Sequence, residues 1–149
     1  GYCRIRPLFL KAKHQIVALE LNPVNLEVDA EKLRTALDNL VGNAVKFTPQ
    51  GGRITIASGE RHGCAVFDVI DSGPGVPVEE RDSIFDSFFR GRATATARVA
   101  GTGLGLAIAR ELVQAHGGTV GLLPVTRGAH FRVVLPLHAD AGALALRYA

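Results

Sequence analysis

An apolar stripe with a period near three and a half residues constrains this chain most. Leu33, Leu37, Leu40, Ala44 and Phe47 follow one another at alternating spacings of four and three, which places them on one face of a helix. Asp29 is positioned to cap that helix, predicted over about Ala30 to Phe47, and Pro49 with Gly51-Gly52 ends it. The stripe should dock on a sheet. Gly52–Ser58 and Cys64–Asp71 alternate as two strands across a turn at Gly59–Gly63. Ile16–Leu21 reads as an earlier strand closed by Asn22-Pro23, with a short strand at Leu26–Val28. A second long helix is predicted over Leu104–His116, stopped by Gly117-Gly118, before a closing hairpin of Thr119–Leu123 and Ala129–Leu135. A short helix is expected over Val78–Phe85, and a helical or irregular lead-in over Pro7–Lys13.

Strand pairs separated by single helices do not make a regular βαβ alternation. They predict an α+β fold, a two-layer sandwich in which a mixed, mostly antiparallel sheet of about five strands carries about three helices on one face. With 149 residues the chain is most simply one domain. It divides into a lead-in over 1–15, a domain over 16–137 and a tail over 138–149. Residues 76–100 are loop-rich, and Gly91–Arg98 is small, polar and low in complexity.

There is no run of about 18 apolar residues for a membrane span, and the first residues lack the apolar core of a signal peptide. The beginning reads as a cut point within a longer protein. Cys3 and Cys64 are too few for a disulfide framework or zinc site, and Cys64, which opens an apolar run, is expected to be buried. A net charge of +3 without basic–aromatic clustering gives nucleic-acid binding little support.

Asn39, Asn43 and Lys46 form a second stripe on the first helix, about a quarter-turn from the apolar one. Two amides and a lysine beside a buried face are placed to line a cleft. An asparagine oxygen suits magnesium, a hard cation that takes few protein ligands when phosphates supply the others. Further on, Phe67, Val69 and Asp71 share the core-facing side of their strand, and a carboxylate buried there needs a donor partner. Gly73 and Gly75 follow it and permit a sharp turn. Gly101-Thr102-Gly103-Leu104-Gly105-Leu106 opens the next helix, where free backbone amides attract phosphate. Neither glycine segment has Rossmann or P-loop spacing. His116 reads as a helix-end residue, where a partly charged imidazole is favoured.

Four segments in this order resemble the ATP-binding catalytic domain of sensor histidine kinases. They are Asn39-Leu-Val-Gly-Asn43-Ala-Val-Lys46, Asp71-Ser-Gly73-Pro-Gly75, Ile84-Phe85-Asp-Ser-Phe88-Phe89-Arg90 and the Gly101–Leu106 stretch. The resemblance runs from about Ile16 to Leu137 and implies the Bergerat fold of the GHKL superfamily. It implies ATP and Mg2+ as ligands, with Asn43 on the metal, Lys46 on phosphate and Asp71 on the adenine amine. It further implies a lid over 76–100, anchored by Phe85, Phe88 and Phe89, with Arg90, or else Arg92 or Arg98, meeting the γ-phosphate. Hydrolysing relatives carry a glutamate where Asn39 stands, and an amide cannot serve as a general base near neutral pH.

In such kinases the γ-phosphoryl group passes to a histidine on a separate dimerisation domain. None of His14, His62, His116, His130 and His138 has the sequence context of that acceptor. The resemblance therefore implies an isolated catalytic domain that is largely monomeric. Its partners would be its own dimerisation domain and, through a homodimeric full-length kinase, a response regulator. It would be a cytoplasmic domain of a protein anchored in a bacterial inner membrane. The competing expectations are a degenerate nucleotide-binding regulatory module, and a hydrolysing ATPase or serine kinase of the same superfamily.

Overall fold

The computed structural model describes residues 15–89 and 104–137. The expected lead-in apart from Gln15, the tail, Cys3 and the whole low-complexity segment Gly91–Arg98 lie outside them. In chain order the elements are β1 (Ile16–Leu21), α1 (Ala30–Phe47), β2 (Arg53–Arg61), β3 (Cys64–Asp71), a 3-10 turn (Val78–Glu80), α2 (Gly105–Ala115), β4 (Thr119–Leu123) and β5 (Ala129–Pro136). The sheet order is β1-β2-β3-β5-β4, with only the β1–β2 pair parallel. The predicted α+β class and five-stranded mixed sheet are what the chain adopts. No helix among the described residues is long and apolar enough to cross a membrane.

Asp29 caps α1 as its position predicted, its Oδ1 accepting from the amides of Glu31 (3.1 Å) and Lys32 (3.2 Å). At the far end Thr48 turns extended while its N–H still reaches Ala44 O, so Pro49 never has to enter the helix. Leu33, Leu37, Leu40 and Ala44 are buried, joined by Ala36, Val41 and Val45, while Phe47 is only half-buried. They pack with Ile54, Ile56, Val69, Phe131, Val133 and Leu135 of the sheet and with Ala109 and Val113 of α2 in one core. The pleat sends Cys64 and Val134 to the opposite face, where they form a small second cluster. Cys64 is fully buried, as expected of a small hydrophobe.

Four expectations need correction. The β2–β3 turn is only His62-Gly63, both with positive φ (53° and 75°). That two-residue geometry matches the strand twist and lets Gly59, Glu60 and Arg61 join the ladder opposite Val66, Ala65 and Cys64. Leu26–Val28 is not a strand. Val24, Leu26 and Val28 tuck alternately against the core and Glu27 N–H meets Leu137 O (3.1 Å), but no regular ladder forms.

The helix expected over Val78–Phe85 shrinks to a single 3-10 turn, leaving two α-helices among the described residues rather than about three. Ile84 and Phe85 are both buried at the end of this segment. Successive i→i+3 bonds at Ser83, Asp86 and Phe89 carry the chain over the core instead.

Lastly, His116 does end α2, as its C-cap, but the contacts of its ring are not those of a cation. Its Nε2 accepts the Asp29 N–H (3.3 Å) and its Nδ1 contacts Leu112 O (2.8 Å). An Nε2 that accepts has no proton, so the ring is the neutral Nδ1–H tautomer, tying the end of α2 to the start of α1.

Candidate nucleotide site

The polar stripe of α1 lies beside its buried face, with Asn39 and Asn43 half-buried and Lys46 exposed. Asn39 Nδ2 donates to Thr35 O (2.9 Å), one turn back. This fixes the amide and turns its oxygen toward α2. A Cβ built on Gly105 would lie 3.2 Å from Asn39 Oδ1. The start of α2 thus sits directly on the asparagine stripe. Its N-cap, Leu104, offers no side-chain hydrogen bond to the first-turn amides, and a helix N-terminus is where such donors attract anions.

Asp71 ends β3 on the core side and is 6% exposed. Burial pushes its carboxyl above the usual carboxylate range, while the backbone amides of Gly73 and Ala129 pull the other way. Gly73 N–H donates to Oδ1 at 2.9 Å. The partners that steady this carboxylate are backbone amides rather than cationic side chains, so it retains capacity to accept from an amine.

The surrounding turn is held by close backbone approaches. A Cβ on Gly73 would stand 2.9 Å from Phe47 O, the end of α1, and one on Gly128 would overlap Asp71 O. Both positions need glycine because backbone, not a flexible side chain, occupies the space. The Asp71 turn is therefore pressed between the end of α1 and the β4–β5 connection. From Asn39 to Phe47 along α1 is eight residues, about 12 Å.

Of the three phenylalanines in the third segment, Phe85 is buried edge-on against Phe131 (centroids 6.1 Å, 89°) with Arg110 over its ring at 5.6 Å. Phe89 packs on the core and Phe88 is 70% exposed. Leu104 and Leu106 are half-buried, Leu106 against the core. The predicted site residues Arg90, Gly101, Thr102 and Gly103, with Arg92 and Arg98, lie outside the described residues.

Sequence reasoning passed over Asp68. It accepts from Arg132 Nε (2.8 Å) and Nη2 (3.3 Å) and pairs with His130 Nε2 (2.7 Å). Strand alternation puts it on the sheet face opposite Asp71, so this ion cluster stands apart from the cleft. Its signal was readable only in the β3–β5 register, which pairs Asp68 with Arg132 and lies beyond local periodicity.

A two-layer fold with its sheet on one side, an asparagine-bearing helix that meets Gly105, and the Asp71–Gly73 turn against the end of that helix is the arrangement of a GHKL-type domain. Residues 28–139 match the histidine kinase-, DNA gyrase B- and HSP90-like ATPases, and the chain belongs to that family. Among curated relatives, the sensor histidine kinase WalK of Bacillus subtilis (strain 168) is 42% identical over 97 residues, covering 64% of this chain and 16% of WalK. The mycobacterial sensor histidine kinase MprB matches in structure with a TM-score of 0.76 and 30% identity, covering 85% of each chain. Full-length ShkA in complex with AMPPNP matches with a TM-score of 0.73 and 34% identity, over 87% of this chain and 27% of ShkA. The chain spans less than a third of the length of the curated relatives it matches.

Proposed function

We propose that this domain binds Mg-ATP between α1 and the start of α2 and donates the γ-phosphoryl group to a histidine on a separate dimerisation domain. Buried Asp71, steadied by backbone amides, is the observation that carries the reading. Its free acceptor capacity suits the exocyclic amine of adenine, as the family resemblance implies. The uncapped first turn of α2 suits the phosphates, with Lys46 exposed on the adjoining stripe.

The donor set fits magnesium shared with a polyphosphate. Among the described residues no three His, Cys, Asp or Glu side chains converge to cage a metal alone. Asn43 offers a neutral oxygen, the kind of ligand magnesium accepts when phosphates provide the rest. Bound there, the ion would neutralise charge on the phosphates. Arg90, with its planar fork, is assigned to the γ-phosphate.

Asn39 supports transfer over hydrolysis. Its Nδ2 is engaged with Thr35 O and its oxygen faces Gly105, and an amide has no basic site to activate water. The acceptor imidazole nitrogen would instead attack the γ-phosphorus as its bond to the ADP oxygen breaks, giving phosphohistidine and ADP. Positioning and electrostatics supply most of the catalysis in such a transfer. In the full-length protein a response regulator would then take the phosphoryl group.

Calorimetric titration with ATP, with and without Mg2+, tests the reading. The wild type should bind, and Asp71→Ala should weaken binding about ten- to a hundredfold, the cost of a hydrogen bond to a charged acceptor. Phosphorylation of a supplied dimerisation domain tests the transfer. A folded chain that binds no Mg-ATP overturns the proposal.

A further inference from the structure

The last turn of α1 carries Lys46, and like any helix end it leaves carbonyls without intrahelical partners. Ala44 O is taken by the Thr48 N–H (2.9 Å). Two others are taken from far away in sequence. Gln15 Nε2 donates to Val45 O at 3.0 Å and to Thr48 O at 2.6 Å. Gln15 is itself buried, and the next residue begins the sheet, Ile16 N–H bonding Gly52 O at 2.9 Å.

On its other side the same helix end abuts the adenine loop, with Phe47 O 2.9 Å from a Cβ placed on Gly73. Gly73 N–H in turn holds Asp71 Oδ1. Resting on the nucleotide reading above, we propose that Gln15 is a positioning residue, clamping the end of α1 against the Asp71–Gly73 turn and so linking the chain's entry into the sheet to the nucleotide site.

Stability alone is a poor reason for this side chain. Among the described residues, Gln15 Oε1 and Thr48 Oγ1 are both buried without a hydrogen-bond partner. An apolar residue at position 15 would remove one of those unpaired atoms, yet it could not supply the two donors. The carboxamide is what reaches both carbonyls at once, and it sets where Lys46 and Thr48 sit relative to Gly73. A segment preceding β1 that shifted Gln15 would be felt at both the phosphate and the adenine ends of α1.

Gln15→Met keeps the length of the side chain and deletes both donors. Amide hydrogen exchange is followed at Gly73 without nucleotide, and Mg-ATP affinity is measured by calorimetry well below the melting temperature. The expected result is exchange at Gly73 faster by about tenfold or more. Mg-ATP affinity should fall about three- to tenfold, the equivalent of one net hydrogen bond.

A plain helix cap would lower the melting temperature and reduce Gly73 protection by no more than the accompanying loss of global stability. Protection reduced no further than that overturns the proposal, whatever the wild type binds. Where the wild type binds, an affinity within about twofold of it in Gln15→Met overturns the proposal as well. If Gln15→Met does not fold, Gln15→Asn, one methylene shorter, serves the same comparison. Lost Gly73 protection in a protein whose wild type binds no Mg-ATP supports the clamp and overturns the nucleotide reading instead.

Discussion

Gly105, the first residue of α2, faces Asn39 of α1 so closely that a Cβ built on it would lie 3.2 Å from Asn39 Oδ1. This joins the second glycine box to the asparagine stripe, two features far apart in sequence. Asn39 has little room to yield, because its Nδ2 is tied to Thr35 O.

Gly105→Ala therefore sets two effects against each other. Alanine gains about 1 kcal/mol of helix propensity over glycine, and the tight contact at Asn39 costs about as much. Thermal melting should move little, while a methyl on the phosphate-facing turn lowers Mg-ATP affinity about tenfold. Calorimetry showing wild-type affinity in a normally folded Gly105→Ala protein would remove this turn from the phosphate site.

Asp71 should make both stability and binding depend on pH, with opposite signs. Burial raises its folded pKa above the unfolded value near 3.9. The folded state thus holds this proton more tightly. Its contribution to stability is greatest below the unfolded pKa and declines as pH rises through the window up to the folded one. Binding of an adenine amine needs the carboxylate, so affinity rises with pH over that window. Asp71→Asn should flatten the stability profile there. Urea titrations and ATP calorimetry across the mildly acidic range check both slopes.

Asp68 should behave in the reverse sense and leave nucleotide binding alone. Burial pushes its carboxyl up, but the hydrogen bonds and charges of Arg132 and His130 outweigh this and hold it below the usual range. A lowered folded pKa contributes stability above the unfolded pKa that is lost as pH falls through the folded one. Asp68→Asn should cost about 1–3 kcal/mol at neutral pH, since Arg132 and His130 lose their shared anion. Mg-ATP affinity should stay at the wild-type value, because the cluster is on the far face of the sheet. A parallel loss of affinity would contradict that separation.

His116 should be the neutral Nδ1–H tautomer in the folded protein. Nitrogen-15 NMR of the imidazole distinguishes this directly from the Nε2–H form and from the cation. His116→Ala removes the tie to Asp29 and Leu112 and should destabilise by about 1–2 kcal/mol through two lost hydrogen bonds. Detection of an imidazolium at neutral pH would mean that Asp29 N–H does not donate to this ring.

Much of the molecule could be read along the chain, because the physics involved spans only a few residues. The cap at Asp29, the stripe from Leu33 to Ala44, the stop at Thr48-Pro49 and the alternation from Cys64 to Asp71 are all local, and α1 and β3 have their predicted bounds. The same holds for the class of fold and for the four segments that carry the family resemblance. The turn at His62-Gly63 was obscured because β2 runs three residues further than a turn at Gly59–Gly63 implied, a matter of paired backbones. Packing alone decided the rest. It set the order β1-β2-β3-β5-β4, the pairing of Asp68 with Arg132 across β3 and β5, and the meeting of Gly105 with Asn39. Most plainly, nothing near Gln15 announces that it will hold carbonyls 30 and 33 residues away. Periodicity and capping depend on neighbours in sequence, whereas register and clamping depend on which distant surfaces exclude water together.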